Sequence, residues 1–268
     1  MSDEIAGTVV VYHAVGVPPT GAANDDLFVD PATFEEELSF LAEHREVVSL
    51  HALLGGEVEG AKPAVAITFE DGFRSVLTVA APLLERFGFL ATVFITTRWL
   101  DDADGAESAD AAPGLLTPGD VQELAERGFD IGSHGHTHAD LGRLSASIVE
   151  AELAASAERL DGLLGKRPRY LAWPYGSTSA EGEAVARAAG FEAAFAFNTP
   201  TTSRYALSRV PIYRLDGRAL FALKTSGRYV ALRRSPFVAS AYAVLSPLIA
   251  RAREWFPRRR RQAPRVER

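Results

Sequence analysis

Short apolar runs of β character, alternating with amphipathic helical segments, constrain this chain more than any other feature. Thr8–His13, Ala64–Phe69, Ala91–Thr97, Phe129–Ser133, Tyr170–Trp173 and Ala193–Phe197 are rich in β-branched or aromatic residues. Between several of them lies helical periodicity. Pro31 stands at a first helical turn, and Phe34, Leu38 and Leu41 then recur on one face. Thr117-Pro118-Gly119-Asp120 sets an N-cap before a first-turn proline, and Gly128 falls just past the end. Ser145–Leu164 is the longest early helix, offering Ile148, Ala151, Leu153, Leu160 and Leu163 to a core. Such alternation predicts an α/β fold, a mostly parallel sheet with outer helices, open or closed into a barrel. The 268 residues suffice for one large α/β domain or two modest ones, and 47% hydrophobic with 24% charged residues excludes disordered and fibrous classes.

Two stretches break the rhythm. Arg98–Leu116 carries Asp101, Asp102, Asp104, Glu107 and Asp110 among Ala and Gly, which predicts an exposed acidic loop. After about residue 215 strand signals stop. Pro236–Phe256 is apolar, and Arg251–Arg268 holds eight Arg against Glu254 and Glu267, a balance of +6 that leaves −13 on the preceding 250 residues of a chain of net charge −7. The apolar stretch falls short of the ~20 residues of a membrane span. Docking onto the body is expected, with contact at an anionic membrane surface through the basic tail as the second reading. No nucleic-acid partner is expected. The acidic start, Met1-Ser2-Asp3-Glu4-Ile5, lacks the basic region and long apolar run of an export signal, so a cytoplasmic protein is expected, with the tail at the inner membrane face as the variant of that reading. With no cysteine, disulfides and thiolate metal sites are excluded; a metal would need His, Asp or Glu.

Three local signals sit where β-like runs end. In Thr68-Phe69-Glu70-Asp71-Gly72-Phe73, two adjacent carboxylates precede a glycine. Neighbouring acids repel unless a cation, a shuttled proton or a helix N-terminus offsets them, and capping of a Phe73–Phe87 helix by Asp71 is the structural alternative. In Gly132-Ser133-His134-Gly135-His136-Thr137-His138, three of the six histidines fall within five residues. Two imidazoles four apart on a helical turn would face one way and suit a divalent ion; with Asp71 they make a set of two imidazoles and one carboxylate that leaves positions open for water. The third signal, Trp173-Pro174-Tyr175-Gly176, reads on its own as rim packing.

Together and in this order, the three resemble the NodB-type polysaccharide deacetylases (carbohydrate esterase family 4). Members carry T-F-D-D-G, H-[ST]-x-x-H and R-x-P-[FY] motifs on a distorted (β/α)7 barrel. The resemblance spans about residues 8–215 and implies that barrel over 1–215, with a C-terminal helical extension over 216–268. It implies Asp71, His134 and His138 as metal ligands, most simply of Zn2+, with Co2+ or Mn2+ as alternatives. It places Glu70 at the catalytic base and the Tyr175 backbone N–H at the oxyanion. The aromatic-Pro-Tyr-Gly form is similar to that of members acting on poly-N-acetylglucosamine, whose permuted-motif relatives begin with a Tyr-His strand and use that histidine as general acid. His13, in Val11-Tyr12-His13-Ala14, is the matching residue here; a histidine packed at a strand end is the other reading.

This chain departs from the pattern. Glu70 replaces the usual Asp, Gly135 replaces Ser or Thr, and Ala172 stands where the third motif has arginine, so the base is expected to lack its orienting cation. No histidine follows His138, and no late tryptophan or L-x-H motif is found. The resemblance implies a metal-dependent N-deacetylase that releases acetate from an N-acetylated carbohydrate. A catalytically weak carbohydrate-binding relative, and an amidohydrolase or deformylase of a lipid-linked sugar, are the alternatives.

Overall fold

The computed structural model describes residues 5, 7–19, 24–58, 60–101, 114–197 and 203–234. Residues 102–113 of the expected acidic loop and the C-terminal apolar stretch with its arginine tail lie outside them; at the described ends of that loop Leu100, Leu115 and Leu116 are buried, not exposed. The described strands are β1 (Gly7–Tyr12), β2 (Ala14–Val15), β3 (Phe28–Val29), β4 (Glu46–Val47), β5 (Ala64–Phe69), β6 (Thr92–Ile95), β7 (Asp130–Ser133), β8 (Tyr170–Ala172), β9 (Ala193–Phe197) and β10 (Leu207–Pro211). The helices are α1 (Pro31–His44), α2 (Leu50–Gly55), α3 (Ala81–Arg86), α4 (Pro118–Glu126), α5 (Ala146–Leu164), α6 (Ala180–Ala188), α7 (Arg218–Lys224) and α8 (Arg228–Arg234). One compact unit runs from Met1 to Val230 and so includes α7, whose Phe221 is buried in its core; Ala231–Arg268 forms a second unit, described only through residue 234.

Seven strands close into a parallel barrel. The pairing runs β1-β10-β9-β8-β7-β6-β5 and returns to β1 through a six-residue register in which Gly7 faces Ala64 and Tyr12 faces Phe69. β4 adds a two-residue parallel pairing at the start of β5, and β2 pairs only with β3. The chain thus forms the distorted (β/α)7 barrel expected from its motifs.

Alternation along each strand divides the core in two. One parity, with Val9, Ala64, Ala66, Phe94, Tyr170, Ala172, Ala193, Phe195 and Leu207, fills the barrel, and α2 contributes Leu50 and Leu53 near the strand starts. The other packs on the helices. Val10, Tyr12, Val65, Ile67, Phe69, Val93 and Ile95 meet α1, α3 and α4, while Leu171, Trp173, Ala194 and Ala196 meet α5 and α6. Both faces are buried, which is why these strands read as continuous apolar runs.

Local signals set the helix boundaries. Asp30 caps α1 by accepting from Ala32 N at 2.9 Å, and Phe34, Leu38 and Leu41 are buried. Thr117 and Asp120 form a reciprocal capping box on α4. On α5 the buried stripe is Val149, Leu153, Ser156, Ala157 and Leu160; Ile148 and Ala151 face solvent instead of the core. The single helix expected over 73–87 is a wide π turn, Val76–Ala80, followed by α3. Pro82 has no N–H to continue an ordinary helical ladder back into that turn.

Candidate active site at the carboxyl ends of the strands

Barrel parity aims the polar residues. Glu70 continues the inward series Ala64, Ala66, Thr68 one step beyond β5; His13 follows β1 and His134 follows β7. Their backbones stay tied to the barrel: Glu70 N donates to Tyr12 O at 3.1 Å and His134 N to Ile95 O at 2.8 Å. The three side chains therefore converge at the carboxyl end of the barrel, the end that carries active sites in (β/α) barrels.

His13 Nε2 lies 2.8 Å from Glu70 Oε1, and Arg209 Nη2 donates to Glu70 Oε2 at 2.6 Å. Arg209 is inside the barrel with its guanidinium over the faces of Phe197 (4.9 Å) and Phe94 (5.5 Å). Asp71 Oδ1 lies 3.4 Å from His134 Nε2 and 3.3 Å from His138 Nε2. Among the described residues these three form the one group of metal-ligating type, with ligand atoms within 4.8 Å of one another. His134 Nδ1 donates to the Ala172 carbonyl at 2.8 Å, leaving Nε2 with its lone pair toward Asp71. A lone pair facing a carboxylate is repulsive unless a cation lies between them, so the donor set fits a bound divalent ion.

The loops that carry this group hold uncommon backbone. Asp71 (φ 74°), His138 (φ 63°) and Tyr175 (φ 57°) are the three non-glycine residues with positive φ among those described, and all three line the site. Such conformations cost about 1–3 kcal/mol each and persist where the surroundings impose them. Asp71 therefore does not cap a helix; it begins a left-handed turn that Gly72 (φ 91°) continues without a Cβ. Nor do His134 and His138 share a helical turn. The segment is a loop, reversed at Gly135 (φ 76°) and again at His138, that brings both Nε2 atoms to the same carboxylate.

Burial alone would push Glu70 up, but the Arg209 guanidinium and His13 outweigh it and hold the carboxyl down to about 2. Burial alone would push His13 down; the Glu70 carboxylate outweighs it and raises His13 above its ordinary 6.5. For Asp71, burial is outweighed by the His134 and His138 rings beside it and by His13, which keep it well below 3.8.

The structure brings His13, Glu70, Asp71, His134 and His138 together, and Tyr175 joins at the rim. The Tyr175 ring is largely exposed and lies 4.7 Å from that of His138, with Trp99 on a further side at 5.0 Å. The expectation that Glu70 lacks a cation is wrong. Ala172 removes the arginine of the third motif, but Arg209 reaches Glu70 from β10, a strand the sequence reading did not assign. The signal was the alternation Leu207-Ser208-Arg209-Val210, obscured by Pro211 and by the charge itself.

A closed parallel barrel with carboxylates and imidazoles gathered at its carboxyl end has its polar cluster where (β/α) barrel enzymes carry their active sites. The chain belongs to the polysaccharide deacetylase family: residues 57–194, 138 of 268, match the family model for polysaccharide deacetylase. YxkH of Bacillus subtilis is 23% identical over 212 residues, covering 76% of this chain and 70% of the relative. Among solved structures, the Streptococcus pyogenes deacetylase PplD in complex with acetate superposes with a TM-score of 0.70 at 23% identity, over 82% of this chain and 97% of PplD. IcaB from Ammonifex degensii does so with a TM-score of 0.64 at 19% identity, over 87% and 98%.

Proposed function

We propose that this chain is a metal-dependent N-deacetylase that hydrolyses an acetamide on an amino-sugar-containing poly- or oligosaccharide. The observation that carries this reading is the side-by-side placement of two constellations: Asp71, His134 and His138 converging on one point, and the Glu70–His13 pair buried beside them. Asp71, His134 and His138 would hold the ion, Zn2+ or alternatively Co2+ or Mn2+. When bound, such an ion acidifies a water and polarises a carbonyl oxygen.

The chain's own residues then divide the proton work. Glu70, ionised by its contact with Arg209, accepts a proton from the water whose oxygen attacks the acetamide carbon. The Tyr175 backbone N–H supports the oxyanion, and loss of one such donor typically costs about 2.7–4 kcal/mol. His13, held protonated by Glu70, gives its proton to the nitrogen as the carbon–nitrogen bond breaks. Acetic acid and a free amine leave, the acid then giving up its proton in solution as acetate, and the proton on Glu70 crosses the 2.8 Å contact to restore protonated His13. One environment thus sets base and acid in opposite protonation states at the same pH. Acetate release from N-acetylglucosamine oligomers, by wild-type protein and by Glu70→Gln with Zn2+ or Co2+ supplied, tests the reading. Release by the wild type alone is expected; no release by either contradicts it and favours a binding-only relative.

A further inference from the structure

The loop from His134 to His138 carries two of the proposed ligands yet has glycine at its second position, where the family motif has a hydroxyl. The helix α5 holds that loop instead. The Glu152 carboxylate accepts three hydrogen bonds from it: from His136 N at 3.1 Å and Thr137 N at 2.9 Å on Oε2, and from the Thr137 hydroxyl at 2.8 Å on Oε1. One turn along α5, Ser156 Oγ lies 2.7 Å from Ser133 Oγ, which in turn accepts from Gly135 N at 3.2 Å. Residues four apart share a helix face, so one face of α5 grips both the start and the middle of the loop. Val149 and Leu153, buried on either side of Glu152, fix the helix to the barrel. Thr97 Oγ1 meets His136 Nδ1 at 2.9 Å, so the intervening histidine tethers the loop to the segment that follows β6.

We infer that Glu152 is a positioning residue that fixes the backbone of the His134–His138 loop and thereby sets the affinity of the site for a divalent ion. The affinity part rests on the proposed metal reading. The physical basis is preorganisation. His138 reaches Asp71 from a left-handed backbone that a free loop would abandon, and the groups that orient ligands typically change metal affinity by about 10–100-fold. A carboxylate suits the task because one oxygen can accept from two adjacent backbone N–H groups while the other takes the hydroxyl.

The test compares the full-length wild type with Glu152→Ala, Glu152→Gln and, on an exposed position of the same helix, Glu150→Gln. Two quantities are read: the Co2+ dissociation constant by visible absorbance, and amide hydrogen exchange of residues 134–138 in metal-free protein. Glu152→Ala is expected to weaken Co2+ about 10–100-fold and to speed exchange in the loop, with exchange in the barrel strands unchanged. Glu152→Gln, whose amide oxygen still accepts from both N–H groups, is expected within about threefold of wild type. Glu150→Gln should match wild type. Unchanged Co2+ affinity and unchanged loop exchange in Glu152→Ala would overturn the inference. A wild type that binds no Co2+ would overturn the metal reading and the affinity claim with it, while the exchange data alone would still decide whether Glu152 holds the loop.

Discussion

Arg209, from the middle of the last barrel strand, places its guanidinium 2.6 Å from the carboxylate of Glu70, which stands one residue beyond the end of another strand. The contact spans 139 positions of sequence and is buried, with two aromatic faces, Phe94 and Phe197, against the cation. An arginine lost from the third motif has thus been replaced, in charge and in target, from a different strand.

Removing one partner of a buried pair strands the other without solvent. Arg209→Met should therefore lose about 3–5 kcal/mol of stability at neutral pH, read by chemical denaturation. Glu70 should also rise from about 2, moving the acid limb of the pH–rate profile upward.

The same pair sets the alkaline limb. His13 is raised above 6.5, so the protonated acid persists past the ordinary histidine range, and activity should fall only above it. In Glu70→Gln the raising charge is gone, and the His13 imidazole resonance should titrate at lower pH when followed by NMR. For stability, the signs are opposite. The contribution of His13 is full below 6.5 and lost as pH rises through its folded value; that of Glu70 is full above 4.5 and lost as pH falls toward about 2.

Glu70→Gln keeps the shape of the side chain and removes its basicity. It should retain metal while turnover drops by about 10²–10⁴-fold, the usual worth of a general base. Full activity in this variant would remove Glu70 from the base role.

His134→Ala deletes a buried imidazole whose ring is oriented by the Ala172 carbonyl, and Asp71→Asn removes the negative charge between the two imidazoles. Both variants should lose metal content, measured by elemental analysis, and activity together.

The fold was legible wherever a strand was apolar on both faces. Ala64–Phe69 and Ala193–Phe197 were found with their actual limits, and the capped starts of α1 and α4 followed from Pro31 and from Thr117-Pro118. β10 was not, because a buried Arg209 and a terminal Pro211 make a closing strand look like a loop. The grouping of Asp71 with His134 and His138 was legible from residue type and density, but not from helical spacing. His134 and His138 meet through left-handed backbone at Gly135 and His138, which i, i+4 spacing does not describe. The hold of Glu152 on the loop joins residues 15 and 16 apart across a helix and a loop, a pairing with no sequence period.

The central claim, that one divalent ion held by Asp71, His134 and His138 is required to cleave an acetamide, is tested most directly by titrating metal back into chelator-stripped protein while following acetate release. The account predicts no activity in the stripped chain, recovery that saturates at one equivalent of Zn2+ or Co2+ per chain, and no recovery in Asp71→Asn. Full acetate release by stripped protein, or equal recovery in Asp71→Asn, would contradict it.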